Sequence, residues 1–212
     1  MAKYEVEVRA FVAAGRELRV VEGDSAPMIR GYAAVFNLIS EDLGGFRELI
    51  QPGAFAEVLR VGADVRALWN HDANYVVGRT VNGTLRLVED EFGLVYEADP
   101  PDTQWARDAL TSIRRGDVSQ SSFQFIVARG GDLWQEVEEG YVLRTITRFE
   151  ELLDVSPVTF PAYPQTSTQA RARFEEFMAT AQGSGVRSGA AAMAQEHMAM
   201  LRRKLDLSEK EL

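Results

Sequence analysis

Short stretches with a two-residue hydrophobic period recur along most of this sequence, and they constrain its fold more than any other feature. In the first, apolar residues from Tyr4 to Ala10 alternate with Glu5, Glu7 and Arg9. This period is typical of a strand that buries its apolar face. Further strand patterns occur in MIRGYAAVF, VRALWN, YVVGRT, TLRLVED, GLVYEAD, Tyr141–Phe149 and Leu152–Phe160. Gly31, within the second pattern, indicates a bulge or a close backbone approach.

Helical patterns are fewer and do not alternate regularly with the strands. One short helix is predicted from Ala54 to Arg60 and a longer one from Asp102 to Gly116, with Asp102 as its cap. The pair Asn82 and Gly83 predicts a tight hairpin turn. About eight strands with short connections disfavour a doubly wound fold. We therefore predict an α+β fold centred on an antiparallel or mixed sheet, and closure of this sheet into a barrel stays open.

The sequence predicts that the chain divides into a main domain and a C-terminal part. Residues 1–165 form the main predicted domain, and residues 166–181 form an amphipathic helix that closes it. The composition of QGSGVRSGAAA is that of a flexible linker, which we assign to residues 182–189. Residues 190–212 then predict a C-terminal helical tail.

Composition narrows the function classes. The net charge of −9 disfavours sequence-independent binding of nucleic acid, which needs a basic surface. The chain has no cysteine and only two histidines, so thiolate zinc sites, disulfides and cysteine nucleophiles are excluded, and we predict no metal and no cofactor. No apolar run approaches the roughly 20 residues that span a bilayer, and the first residues lack a signal-peptide core. We therefore expect an intracellular protein without a membrane partner.

The stretch GDVSQSSFQF places Ser119, Ser121 and Ser122 at the start of a strand pattern, directly after a predicted helix. In a strand, Ser121 shares its face with Phe123, so we expect it near the core. Ser122 shares its face with Gln124, so we expect it to meet solvent and substrate. These hydroxyls are either satisfied strand residues or one of them does chemistry.

A histidine and an aspartate stand in two other strand patterns. His71 follows an apolar run, at a strand end where a side chain can project into a cleft, and a histidine can take a serine proton and return it to a leaving group. His197 lies beyond the linker, a poor place for a firmly held base. Asp154 lies among apolar residues, where an acid needs a partner such as an imidazolium. Glu150 and Glu151 are its rivals, nearer the strand start.

These residues also allow plainer interpretations. His71 can be structural or merely exposed, and Asp154 can pair with Arg144 or Arg148. No GxSxG elbow is present, and a catalytic triad is recognised by its geometry. Spacing alone therefore leaves a Ser-His-Asp site and a set of satisfied structural residues both open.

Six blocks, taken in order, resemble the prohead protease family of tailed bacteriophages. They are IRGYAAVFN, ELIQPGAF, LWNHDANYVVGRT, DEFGLVYEAD, RRGDVSQSSFQF and LLDVSPVTFPAYP, between about Ile29 and Pro164. This family is similar to the herpesvirus assemblins, serine proteases with a largely antiparallel β-barrel surrounded by helices. The resemblance implies that residues 1–165 are a protease domain with an assemblin-like core.

The resemblance also implies the site and the function. It makes Ser122 the nucleophile, His71 the general base and acid, and Asp154 the residue that orients the imidazole. It implies a serine endopeptidase that cleaves the major capsid protein, the scaffold segment and itself during prohead maturation. The enzyme would act inside the assembling prohead in the host cytoplasm, without a cofactor, and a homodimer stays open.

Two departures from the family pattern bear on this site. Members often have glycine where this chain has Gln124, so a long side chain replaces bare backbone beside the nucleophile. Members often have glutamate where this chain has Asp154, so the shorter acid needs a local backbone shift or a water to reach His71. Backbone N–H groups are the expected oxyanion donors, with Arg114 and Arg115 as weaker candidates.

Two other function classes remain as alternatives. The first is a non-enzymatic capsid-assembly scaffold module that keeps a protease-like fold. The second is a carboxylate-metal hydrolase, which the scattered acidic residues disfavour because they form no ligand pattern. The predicted linker is a candidate self-cleavage site, since small-residue segments are readily proteolysed.

Overall fold

The structure is a computed structural model that describes residues 5–11, 18–23, 26–138, 141–160 and 168–183. Its first strands are β1 (Glu7–Phe11), β2 (Arg19–Glu22), β3 (Pro27–Val35), β4 (Phe46–Ile50), β5 (Arg66–Trp69) and β6 (Asp72–Arg79). The later strands are β7 (Leu85–Glu89), β8 (Gly93–Ala98), β9 (Gln120–Val127), β10 (Asp132–Glu138), β11 (Tyr141–Ile146) and β12 (Phe149–Val158). The helices are α1 (Ala56–Arg60), α2 (Gln104–Arg114) and α3 (Thr168–Gly183).

These strands form three sheets. Their orders are β1-β9-β12-β5-β6, β10-β11-β4 and β2-β3-β8-β7. Most neighbours are antiparallel, while β11 with β4 and β12 with β5 run parallel. A β-rich fold with few helices is therefore confirmed.

The predicted closure into a barrel is wrong. Closure requires the first and last strands of a sheet to pair, and no sheet of the described residues does so. Register shifts in β3, β6 and β12 interrupt the hydrogen-bond ladders. Such bulges bend a strand and end its regular pairing, which favours separate sheets over one continuous ladder.

The largest apolar core packs around the strands that carry the site. Phe55, directly before α1, stacks on Phe149 of β12 with ring centroids 4.4 Å apart. Phe123 and Phe125 of β9 stack at 4.7 Å, and Phe125 meets Phe149 edge-on at 4.9 Å. Aromatic pairs in these geometries add to the free energy gained from burial. The cluster therefore fixes β9 against β12.

Gly31 confirms the predicted close approach. A Cβ atom at this position of β3 would lie 3.1 Å from Leu18, from the Ser121 hydroxyl and from the Tyr96 ring. The missing side chain therefore lets β3 lie close to β9.

Two local predictions differ from the structure. Asp102 does not cap α2: the N-cap residue is Thr103, and Asp102 instead forms an ion pair with Arg107. The predicted hairpin at Asn82 and Gly83 is wrong, because β6 and β7 belong to different sheets. A 3-10 turn at Thr80–Asn82 carries the chain from one sheet to the other, and Gly83 follows it with a φ of 72°.

The end of the chain is described only in part. Helix α3 spans the larger part of the predicted closing helix and continues to Gly183. The rest of the predicted linker, the predicted helix at 190–212 and His197 lie outside the described residues. Within the part of the chain that is described, no helix has the length and apolar character needed to cross a membrane.

Candidate active site

The structure brings Ser122, His71 and Asp154 into one chain of contacts. His71 Nε2 lies 2.8 Å from Ser122 Oγ, and His71 Nδ1 lies 2.7 Å from Asp154 Oδ1. Ser122 is on β9, Asp154 is on β12, and His71 follows β5, and these three strands are neighbours in one sheet. A neutral histidine that donates from Nδ1 to the aspartate can accept the serine proton at Nε2.

A strained turn positions His71. Asn70 and His71 connect β5 to β6 with φ values of 56° and 59°, in the left-handed region that two-residue hairpins of type I′ require. The Asn70 N–H donates to the Pro157 carbonyl (2.9 Å), and the Thr159 N–H donates to Asn70 Oδ1 (2.8 Å). The turn is therefore fastened to the end of β12, the strand that carries the acid.

Asp154 accepts hydrogen bonds from two sides. Besides His71, the Ser156 hydroxyl donates to Asp154 Oδ1 at 2.7 Å. The side chains of Asp154 and Ser156 are both buried, whereas Glu150 and Glu151 are exposed. The two glutamates are therefore poorly placed to replace Asp154 beside the histidine.

The arginines considered as partners of Asp154 bind elsewhere. Arg144 donates to three other carboxylates, and Arg148 donates to the Arg129 carbonyl. The candidate oxyanion arginines also have other partners: Arg114 donates to Glu22, and Arg115 forms an ion pair with Asp117.

Ser121 and Ser122 have different surroundings. The Ser121 hydroxyl lies 2.9 Å from the Tyr96 hydroxyl, and both side chains are buried, so the predicted core position of Ser121 is confirmed. Burial raises the pKa of the Tyr96 phenol, which keeps it protonated and able to share a hydrogen bond with Ser121. Ser121 is thus a satisfied core residue, and the hydroxyl that meets the histidine belongs to Ser122.

The prediction that Ser122 meets solvent is wrong for this structure. Ser122 is 0% exposed. Strand β1 pairs with β9 so that Ala10 lies opposite Ser122, and the Ser122 hydroxyl donates to the Arg9 carbonyl at 2.9 Å. The edge of β9 beside Ser122 is therefore paired with β1, and a backbone carbonyl of β1 contacts the Ser122 hydroxyl.

Sequence reasoning missed Asn70 and Ser156. A signal for each was present: asparagine tolerates the left-handed region that the turn requires, and Ser156 stands two residues after Asp154, on the same face of its strand. Neither signal is specific, because asparagine is common in turns and serine is often an ordinary strand residue. Within the described residues, no three or more His, Cys, Asp or Glu side chains form a group that could hold a metal.

Comparison with known proteins identifies the family. The profile of the caudovirus prohead serine protease family matches residues 16–180. This chain belongs to that family. The prohead protease is therefore a serine protease of phage capsid maturation, and the predicted family and function are confirmed.

A solved structure is also similar to this chain. It is the bacteriophage T4 capsid assembly protease, which shares 11% sequence identity with this chain at a TM-score of 0.45. The match covers 73% of this chain and 97% of the T4 protease. No curated protein matches the chain significantly.

Two charged side chains of β1 belong to a buried network of ion pairs. Arg9 Nε donates to Glu48 Oε1 (2.9 Å), and Arg9 Nη2 donates to Glu7 Oε2 (2.8 Å). Arg144 donates to Glu7, Glu48 and Asp132 at 2.8 to 2.9 Å. The side chains of these five residues are all buried. Strand β1 is thus held by charged groups of β4 and β11.

This network inverts the predicted faces of β1. The apolar residues of the strand were expected to be buried, yet Glu7 and Arg9 are buried while Val6 is 43% exposed. The physical reason is pairing, since a charge can be buried when an opposite charge and hydrogen bonds compensate its lost hydration. Burial alone would raise the pKa of Glu48, but the Arg9 and Arg144 guanidiniums outweigh it and lower the pKa below its ordinary value.

Proposed function

We propose that the protease is a Ser-His-Asp endopeptidase whose catalytic residues are Ser122, His71 and Asp154. The single observation that carries this proposal is the unbroken run of contacts from Ser122 Oγ through both nitrogens of His71 to Asp154 Oδ1. Membership of a serine protease family supplies the reaction class independently of that geometry.

The proposed reaction proceeds through an acyl-enzyme. His71 Nε2 takes the proton of Ser122 Oγ as this oxygen bonds to the scissile carbonyl carbon. His71 then gives the proton to the departing amine, and the carbonyl group remains as an ester on Ser122. In the second half, His71 takes a proton from water, the hydroxide oxygen displaces Ser122 Oγ, and the proton returns to the serine.

Asp154 has an electrostatic part in this scheme. It accepts the Nδ1–H of His71, which holds the tautomer that leaves Nε2 free to accept, and it stabilises the imidazolium of each half-reaction. The bond from Ser156 occupies the same carboxylate oxygen and fixes its direction. The direct 2.7 Å contact supports the view that an aspartate suffices here in place of a glutamate.

We further propose that the substrates are the major capsid protein and the scaffold segment, cleaved within the assembling prohead in the host cell. The family description supports the setting, since it names a prohead enzyme. Self-cleavage in the linker at 182–189, a homodimer, the domain limits given above and kinship with the assemblins remain predictions.

The proposal is tested with a matched pair of serine variants. Wild type, Ser122→Ala and Ser121→Ala are each produced with the capsid and scaffold proteins of the same phage, and every product is weighed by intact-mass spectrometry. Wild type and Ser121→Ala are expected to cleave, while Ser122→Ala loses activity by about a millionfold, as triad serines do.

Two outcomes would contradict the proposal. Cleavage by Ser122→Ala together with an inactive, folded Ser121→Ala would transfer the nucleophile to Ser121. An absence of cleavage by all three proteins, in folded and co-assembled samples, would favour the non-enzymatic scaffold module.

A further inference from the structure

The inference concerns strand β1 and rests on the proposed function of Ser122. A serine that attacks a peptide must touch the substrate carbonyl, yet Ser122 is 0% exposed. Besides His71, the Arg9 carbonyl of the protein's own chain contacts the Ser122 oxygen, at 2.9 Å. In this structure a backbone peptide group of β1 therefore contacts the oxygen that would attack a substrate.

The Arg9 carbonyl also competes for the proton that catalysis needs. The Ser122 hydroxyl has one proton, and both the Arg9 carbonyl and His71 Nε2 lie within hydrogen-bond distance of its oxygen. A carbonyl can only accept, so a bond to Arg9 uses the proton that His71 must remove. The contact therefore withholds the nucleophile in two ways, by covering it and by engaging its proton.

We propose that β1 is a displaceable strand that occupies the place of the substrate polypeptide, and that this structure is the closed form of the protease. Strand β1 lies at the edge of its sheet and pairs antiparallel with β9. When β1 leaves, β9 has a free edge beside Ser122. An extended polypeptide can add to such an edge as a strand and bring its carbonyl groups to the serine.

The side-chain contacts of β1 favour its displacement from β9. None of the side chains of residues 5–10 belongs to an apolar core cluster, and the buried ones are Glu7 and Arg9. Buried ion pairs add little net stability, because the cost of removing charges from water offsets their attraction. None of the described side chains of β1 therefore adds an apolar residue to a core cluster, and the strand takes its position and register from its pairing with β9 and from these ion pairs.

The charges that remain after β1 leaves still balance. Glu7 and Arg9 carry opposite charges and depart together. Arg144 keeps its bonds to Glu48 and Asp132, and Arg173 of α3 pairs with Asp132 Oδ1 at 2.6 Å. Opening therefore leaves no net charge uncompensated in the protein body. The profile of the family begins at residue 16, so it does not include β1.

A reversible lock tests this proposal. Val8 of β1 lies opposite Gln124 of β9, and both side chains are half-buried. Directly opposed residues of antiparallel strands have Cα atoms about 4.5–5.5 Å apart, which is within the range that a disulfide spans. Because the chain has no cysteine of its own, the full-length double variant Val8→Cys/Gln124→Cys can form only this bridge within one molecule. Intact mass shows the loss of two hydrogens when it forms.

The readout is the rate at which a small fluorophosphonate labels Ser122. We expect labelling of the oxidised variant to be slower than that of the reduced variant by about tenfold or more, since the bridge removes the open population that reacts. The labelling rate of wild type should be the same with and without the reductant, because the chain has no cysteine. The full-length variant Glu7→Gln/Arg9→Gln keeps the charge balance but weakens the docking of β1, so it should label faster than wild type.

The outcomes separate this inference from the proposed function. Equal labelling of the oxidised and reduced forms would overturn the displaceable strand, and so would failure of the two thiols to pair, because the register itself would then be wrong. Labelling that is no faster in Glu7→Gln/Arg9→Gln would also count against it. If Ser122 stays unlabelled in every variant of a preparation that cleaves substrate, the proposed nucleophile is wrong instead.

Discussion

A single carboxylate oxygen, Asp154 Oδ1, accepts hydrogen bonds from both His71 and Ser156. The pairing of β12 with β9 shifts register between Leu152 and Asp154, directly before this residue. Bulges of this kind re-aim a side chain and are common beside active sites. The structure therefore has a backbone shift of the sort expected for a short acid, and it needs no water between Asp154 and His71.

The bond from Ser156 predicts a positioning effect. Ser156→Ala should lower kcat by about tenfold or more, because hydrogen bonds to charged groups contribute about 1.5–3 kcal/mol. Ser156→Thr keeps a hydroxyl and should retain most of the activity. Steady-state kinetics with a peptide substrate measures both, together with the pH dependence of kcat, which should change in the alanine variant. Equal kcat values and pH profiles for Ser156→Ala and wild type would show that this bond does not position the acid.

At the scale of elements, the turn between β5 and β6 holds His71 in place with two residues in a strained backbone conformation. Two consecutive non-glycine residues hold positive φ values, and the contacts of Asn70 with Pro157 and Thr159 fasten them. Left-handed backbone costs roughly 1–2 kcal/mol per residue for most side chains. Asparagine bears this conformation better than most residues.

Variants of Asn70 separate backbone strain from side-chain contacts. Asn70→Gly and Asn70→Ala both lose the contacts with Thr159, but only alanine opposes the left-handed backbone. We therefore expect Asn70→Ala to lose more activity than Asn70→Gly, by about tenfold for a difference of roughly 1.4 kcal/mol. The comparison of kcat/KM for the two folded variants measures this. Equal losses would assign the whole effect to the side chain.

The ionic network around β1 predicts how stability depends on pH. The groups that face Glu48 are Glu7 and Arg9 from β1 and Arg144 from β11, with Asp132 from β10 on the other side of Arg144. The pKa of Glu48 is lowered from its ordinary 4.5 in the folded state. Such a group stabilises the fold at pH values above its ordinary pKa, and this stabilisation is lost as the pH falls through the lower folded value.

Glu48→Gln should therefore change two quantities. At neutral pH it lowers the free energy of unfolding by about 3–5 kcal/mol, because Arg9 and Arg144 lose a buried partner. Below pH 4.5 the variant should lose less further stability than wild type, since the titrating group is gone. Urea unfolding at a series of pH values measures both. Parallel stability curves for the two proteins would exclude Glu48 as a source of the acid sensitivity.

At the scale of the whole molecule, the three candidate site residues could be predicted from the sequence more readily than the order of the strands in the sheets. Ser122, His71 and Asp154 could be proposed because each stands in a recognisable strand pattern and in a block that resembles the family. Their contacts follow from the neighbouring positions of β9, β12 and β5 in one sheet. That order joins distant parts of the chain, and no local pattern encodes it.

The features that could not be predicted all depend on tertiary pairing. Over the described residues 5–10 the predicted two-residue period is correct, but the predicted buried face is wrong, because partners 39 and 137 residues away compensate Arg9 and Glu7. The same strand covers Ser122, which local alternation had assigned to solvent. The turn chemistry at Asn82 and Gly83 was recognised, but not that its flanking strands enter different sheets.

Trapping the acyl-enzyme and locating its acyl group tests most directly whether Ser122 is the nucleophile. The protein is mixed with an activated peptide ester, quenched in acid, weighed intact and then mapped by peptide mass spectrometry. We expect one acyl group, located on Ser122, and none in Ser122→Ala or His71→Ala. An acyl group on Ser121 or Ser119, or a protein that cleaves substrate without forming any covalent intermediate, would contradict it.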